Sequence, residues 1–182
     1  MRRFARQTVR VFITLAFASS ILLAAESPSV DSRSRSLDGA IGAEPRALRL
    51  DPRATLQIVA RRMGVELDPR IPAPTIRFES VTSLERFQDA TEQQWGFRPG
   101  RFVNVFVSEK NEIYLIDDPA YYAATGRTID ESLAHELVHY VQARYGRANL
   151  SDWAEHEAVA IQKWFRAEYL GSPAGLLASA PD

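Results

Sequence analysis

The sequence predicts an α+β fold, and three observations carry that prediction. Four stretches combine a capping residue, apolar positions at helical spacing and a glycine stop. Two β-branched and aromatic runs, Arg101 to Ser108 and Glu112 to Asp117, flank the polar turn Glu109-Lys110-Asn111 and read as a β-hairpin. A further strand, Thr75 to Ser80, precedes them, and all of this fits in 182 residues, enough for one domain plus an N-terminal extension.

The extension comes first in the chain. Arg2, Arg3, Arg6 and Arg10 form a positive head, Val11 to Ala25 an apolar run, and Leu23-Ala24-Ala25 a small-residue cleavage site, so residues 1–25 read as a secretory signal peptide. The run is short for a membrane span, which needs about 20 residues. The protein is therefore expected outside the cytoplasm, periplasmic or extracellular, with no stable membrane span after cleavage. Residues 26–48 are too poor in apolar side chains to fold alone and read as a linker or a short pro-segment. The domain is expected over residues 49–172 and a flexible tail over 173–182.

Asp51-Pro52 opens the first helix with a cap and an N1 proline, Leu56, Val59 and Ala60 form its buried face, and Gly64 closes it. Thr82 and Glu85 form a capping box for a second helix running through Leu84, Phe87, Ala90 and Trp95 to Gly96. A loop from Asp118 to Arg127, bearing Tyr121 and Tyr122, leads from the hairpin to a third helix. There Thr128 and Glu131 form another capping box, Gly146 is the stop, and Leu133, Leu137 and Val141 mark one broad apolar face. Ser151 caps the last helix, which runs from Asp152 to Leu170 before Gly171. Asn149-Leu150-Ser151 also matches a glycosylation acceptor pattern.

The third of these helices contains His135-Glu136-Leu137-Val138-His139, an H-E-x-x-H pattern. Residues four apart stack on successive turns, so the two imidazoles face one point and supply half of a zinc site. Glu136 is rotated about 100° from His135, close enough to act on a water activated by the metal without being a ligand itself. That is the position of a general base.

Composition narrows the remaining possibilities. Cysteine is absent, which excludes a disulfide framework, a thiol nucleophile and any cysteine-containing zinc site, so the ligands must be His, Asp or Glu. From Glu26 onward the chain carries 18 basic and 23 acidic residues. An acidic chain without a basic stripe excludes nucleic acid as a partner.

A hydrolytic zinc site takes three protein ligands. The last helix offers Glu155, His156 and Glu157, pointing in three directions. Glu157 shares a face with Trp153, Ala160, Ile161 and Trp164, the more apolar side, where a buried carboxylate would need a partner such as the metal. His156 reads as a solvated residue.

His135-Glu-Leu-Val-His139 followed by Glu155-His-Glu-Ala-Val-Ala-Ile resembles the gluzincin metallopeptidases, over about Asn111 to Leu170. In that group a glutamate on a following helix completes the site. Its CaaX-type members carry Glu-x-x-Ala-Asp, whose first glutamate is the ligand. Carried over, that glutamate falls on Glu155 and the alanine on Ala158. Val159 stands where the family has an aspartate that steadies a ligand histidine, so such support must come from elsewhere. The resemblance thus implies a minimal zincin-like fold, with a small sheet on the H-E-x-x-H helix. It implies Zn2+ held by His135, His139 and Glu155, with Glu157 the alternative third ligand, and Glu136 as general base. The expected activity is hydrolysis of a peptide or protein substrate, and Tyr121, Tyr122 and Tyr169 are candidates to stabilise the oxyanion. A non-catalytic exported binding or inhibitory module, and a zinc hydrolase of a non-peptide amide, are the alternatives. A metzincin-type third histidine is disfavoured, because Gln142 and Tyr145 occupy the positions that pattern gives to Gly and His.

Overall fold

The computed structural model describes residues 48–146 and 151–171. The proposed signal peptide, most of the linker, the tail and most of the Asn149 motif lie outside the described residues.

Helix α1 spans Pro52–Arg62, with the Asp51 carboxylate accepting from Arg53 N and Ala54 N. Thr55, Leu56, Val59 and Ala60 are its buried residues. Strand β1 is Thr75–Phe78 and gives way to a 3-10 turn at Glu79–Val81, shorter than the strand expected through Ser80. Ser80 N and Oγ both donate to the Asp117 carboxylate, which turns the chain there. Helix α2, Leu84–Trp95, is capped by Ser83, whose Oγ accepts from Arg86 N at 3.2 Å. The expected Thr82 cap is displaced by one residue because Thr82 instead closes the preceding 3-10 turn.

Strands β2 (Val105–Val107) and β3 (Glu112–Leu115) pair antiparallel, with Phe106 opposite Ile113. Asn111 adopts a positive φ of 53° in the turn between them, a conformation asparagine tolerates. Of the first expected run only these three residues form strand; Asn104 accepts from Ile116 N through its side chain instead. β1 joins β3 in parallel, so the sheet order is β1-β3-β2. β3 is therefore the interior strand, its backbone paired on both sides.

The expected loop after the hairpin contains a helix, α3 (Pro119–Thr125), started by the Asp118 side chain and Pro119 and ended by Gly126 at φ 63°. Helix α4 is Ile129–Arg144, with Thr128 Oγ1 accepting from Glu131 N. Helix α5 is Ser151–Phe165 and continues as a π-type turn, Arg166–Leu170, ending at Gly171. The side-chain cap expected at Ser151 lies outside the described residues.

The sheet is covered on both faces. Phe106, Ile113 and Leu115 point to a core built with α1, α4 and α5. Val105, Val107, Tyr114 and Ile116 point the other way, onto Phe87 and Ala90 of α2 and Phe102. This is the period-two alternation of a strand applied to two layers of helix. Twelve of the sixteen residues of α4 are buried, which makes it a central helix covered on most of its circumference rather than the one-faced helix expected. Leu133, Ala134, Val138 and Val141 are at most 0% exposed, and each fully buried Leu or Val contributes about 1.5–3 kcal/mol. Among the described residues no helix is long and apolar enough to cross a membrane.

Candidate metal centre

From Ile129 to Gln142 only His135 and His139 are not fully buried. Their side chains open a window to solvent along this otherwise buried stretch of the helix. The stacking expected of i and i+4 residues is present, with the Nε2 atoms 3.2 Å apart. Helix α5 packs across α4 and brings Glu155 to them: Oε1 lies 3.5 Å from His135 Nε2 and Oε2 3.3 Å from His139 Nε2. Each of the three residues offers a ligand atom, all within 4.8 Å of one another, so the group could hold a metal ion.

The donor set fits such an ion. Ligands on a tetrahedral dication at about 2.0–2.1 Å are about 3.3 Å from each other. The two Nε2 atoms, 3.2 Å apart, match such an edge, and each lies 3.3–3.5 Å from one of the two oxygens of the Glu155 carboxylate. Electrostatics points the same way. The bonds from His135 and His139 hold the Glu155 carboxyl far below its ordinary value. Burial opposes charge on His139, but the Glu155 contact, the Glu136 charge and Gln142 outweigh it and raise its pKa. The Glu155 carboxylate thus stays ionised beside the two rings.

Glu136 is 6% exposed and lies on the sheet side of α4, where Oε2 accepts from Phe106 N at 2.8 Å. Because Phe106 stands between the two ladder-paired valines of an edge strand, its N–H points outward and is free to hold this carboxylate. The next groups on the same edge, Phe106 O and Ser108 N, are bound by the Gln94 amide at 3.2 and 3.0 Å.

The inward stripe of α5 is Ala158, Ile161, Gln162 and Phe165. Glu155 lies on the same face as Ala158 and Gln162, three and seven residues along. Trp153 is 63% exposed, so the face expected to be the apolar one is turned partly to solvent. Glu157 goes to Gln142, accepting from Nε2 at 3.1 Å, and His156 is exposed. Tyr122 is in the core, its hydroxyl donating to Ile116 O at 2.7 Å, and burial pushes its pKa up to about 12. Tyr121 packs its ring on Tyr122, and Tyr169 packs on Phe165 and Trp164.

Sequence reasoning did not find the two residues behind the histidines. Gln162 Oε1 is 3.0 Å from His135 Nδ1, and Gln142 Oε1 is 2.9 Å from His139 Nδ1. They supply the support that Val159 cannot. The signal for Gln142 was its place one turn after His139 on the same face; Gln162 depended on how α5 crosses α4. Glu131 was read as half of a capping box, yet its carboxylate turns inward to Gln162 Nε2 at 3.2 Å, with Arg166 Nε 3.5 Å away. No protein-family model matches the chain, and no curated protein and no solved structure matches it either.

Proposed function

We propose that this protein is an exported zinc metallopeptidase of the gluzincin type, hydrolysing peptide bonds with Glu136 as general base. The observation that carries the reading is the convergence of His135, His139 and Glu155 at one point, with Glu136 fixed beside them on an edge strand. Two nitrogens and one carboxylate oxygen leave a fourth tetrahedral position open, as hydrolytic zinc sites do. A bound zinc ion supplies Lewis-acid polarisation of the carbonyl and acidifies water to near neutrality.

The chain's own residues do the rest. The Phe106 N–H holds Glu136 so that its other oxygen takes a proton from the attacking water. The water oxygen bonds to the carbonyl carbon, Glu136 passes the proton to the amide nitrogen, and the C–N bond breaks to give acid and amine. Burial of Glu136 at 6% exposure keeps the carboxylate out of bulk water during both transfers. Export is supported by the arginine head and apolar run of residues 1–25. Glu136→Gln tests the reading on unfolded casein: zinc content should persist while the rate falls by about 10²–10⁴-fold. An unchanged rate would remove the catalytic assignment.

A further inference from the structure

Two buried side-chain relays meet at the metal centre, one behind each histidine. In the first, Gln162 Nε2 donates to Glu131 Oε1 at 3.2 Å and Gln162 Oε1 faces His135 Nδ1 at 3.0 Å. In the second, Gln142 Nε2 donates to Ala154 O at 2.9 Å and to Glu157 Oε2 at 3.1 Å, while Gln142 Oε1 faces His139 Nδ1 at 2.9 Å. Gln142 is 3% exposed, Gln162 7% and Glu131 2%.

The partners fix the direction of every bond. An amide can be placed either way round in a structure, so its orientation must be argued from its neighbours. A backbone carbonyl can only accept, which puts the Gln142 NH₂ on Ala154 and leaves its oxygen for His139. The Glu131 carboxylate, facing the Arg166 guanidinium, likewise takes the NH₂ of Gln162. Each histidine then meets an acceptor at Nδ1, so Nδ1 must carry the proton and Nε2 the lone pair. In the neutral rings both lone pairs then face Glu155 and each other across 3.2 Å, an arrangement that repels unless a proton or a metal cation lies between them.

We propose that Gln162 and Gln142 are positioning residues that hold His135 and His139 in the Nδ1–H tautomer, setting both Nε2 lone pairs to receive a divalent cation. This rests on the metal-centre part of the function proposed above and is independent of peptide hydrolysis. A neutral amide here replaces the carboxylate that more often stands behind a ligand histidine. It orients the ring without adding a negative charge next to it, and the charge sits one residue further back, on Glu131 and Glu157.

The test uses the full chain, stripped with a chelator and then titrated with zinc. Nitrogen-15 NMR of the imidazoles, in alkaline solution where both rings are neutral, should show both histidines protonated on Nδ1 in the metal-free wild type. Gln162→Met, a near-isostere without an acceptor, should release His135 alone into a mixture of tautomers, and Gln142→Met should release His139 alone. Each should weaken zinc by about 10–100-fold in a competition titration. Glu131→Gln combined with Gln162→Glu keeps an acceptor on His135 and the same total charge, and should restore affinity to within a few-fold of wild type. Should a methionine variant not fold, the wild-type tautomers still decide, since protonation on Nε2 in either ring overturns the relay. Methionine variants that bind zinc like wild type overturn it too, while leaving the metal centre standing. Failure of the wild type to bind zinc overturns the metal centre and this proposal together.

Discussion

Removing Glu155 should empty the metal centre, whereas removing Glu157, two residues away, should not. Glu155 approaches both histidine nitrogens, at 3.5 and 3.3 Å. Its loss leaves only two protein donors, and a ligand should cost more than the 10–100-fold of a supporting residue. Glu157 holds Gln142 Nε2, but Ala154 O accepts from the same atom at 2.9 Å and keeps the amide oriented. Glu157→Ala should therefore cost less than tenfold. The effect can be read as heat stability. With free zinc at about 100 times its dissociation constant, binding stabilises the folded state by roughly 2.7 kcal/mol, and a 100-fold loss of affinity leaves roughly 0.4. For a folded unit of roughly 120 residues the difference corresponds to about 10 °C in melting temperature. Differential scanning calorimetry, with and without a chelator, should show that zinc-dependent increment in wild type and Glu157→Ala, and little of it in Glu155→Ala. An increment surviving in Glu155→Ala but lost from Glu157→Ala would refute the geometric reasoning and move the third ligand to Glu157.

Two further predictions concern the scaffold. Burial opposes ionisation of Glu112, but the Tyr114 hydroxyl at 2.6 Å, Arg77 at 2.7 Å and Arg86 at 3.0 Å outweigh it, so its pKa is lowered. A carboxyl depressed in the folded state contributes stability above its unfolded pKa of about 4.3 and loses it as pH falls through the folded value. Glu112→Gln should thus be less stable than wild type by about 2 kcal/mol at neutral pH, with the gap closing below about pH 4; a gap independent of pH in urea titrations would contradict this. Asp130, 2% exposed, accepts from Arg49 N and Leu50 N at 2.8 and 3.0 Å and ties the segment before α1 to the start of α4. Asp130→Ala should cost about 2 kcal/mol in equilibrium unfolding, and a cost under about 0.5 kcal/mol would mean the tie is not formed in solution.

Local signals in the sequence determined most of the elements. Asp51, Thr128, Gly64, Gly96 and Gly171 mark helix ends by properties of single residues, a side-chain oxygen near free N–H groups or tolerance of positive φ. The pairing of His135 with His139, and the place of Glu136 beside them, follow from helical geometry alone. What sequence reasoning misjudged was set by neighbours. Ser83 rather than Thr82 caps α2 because a 3-10 turn uses Thr82. Pro119 starts a short helix, seven residues long, in what read as a loop. α4 is covered on most of its circumference because the sheet and two helices pack around it, which leaves Glu131 to seek Gln162 and Arg166 rather than its own backbone.

The remaining features were decided by tertiary structure. Which carboxylate of α5 meets the histidines depends on the rotation of that helix against α4, and a shift of two residues turns a side chain by about 200°. The anchoring of Glu136 on Phe106 N required an edge strand to lie beside the helix, and strand order is a long-range property no local pattern encodes. The Gln162 relay joins residues 27 and 31 positions apart in the chain, and the Gln142 relay reaches across to residues 12 and 15 positions away. The sequence by itself supplied the two histidines and their helical spacing; the packing of α5 on α4 brought Glu155 to them and set Gln162 behind His135.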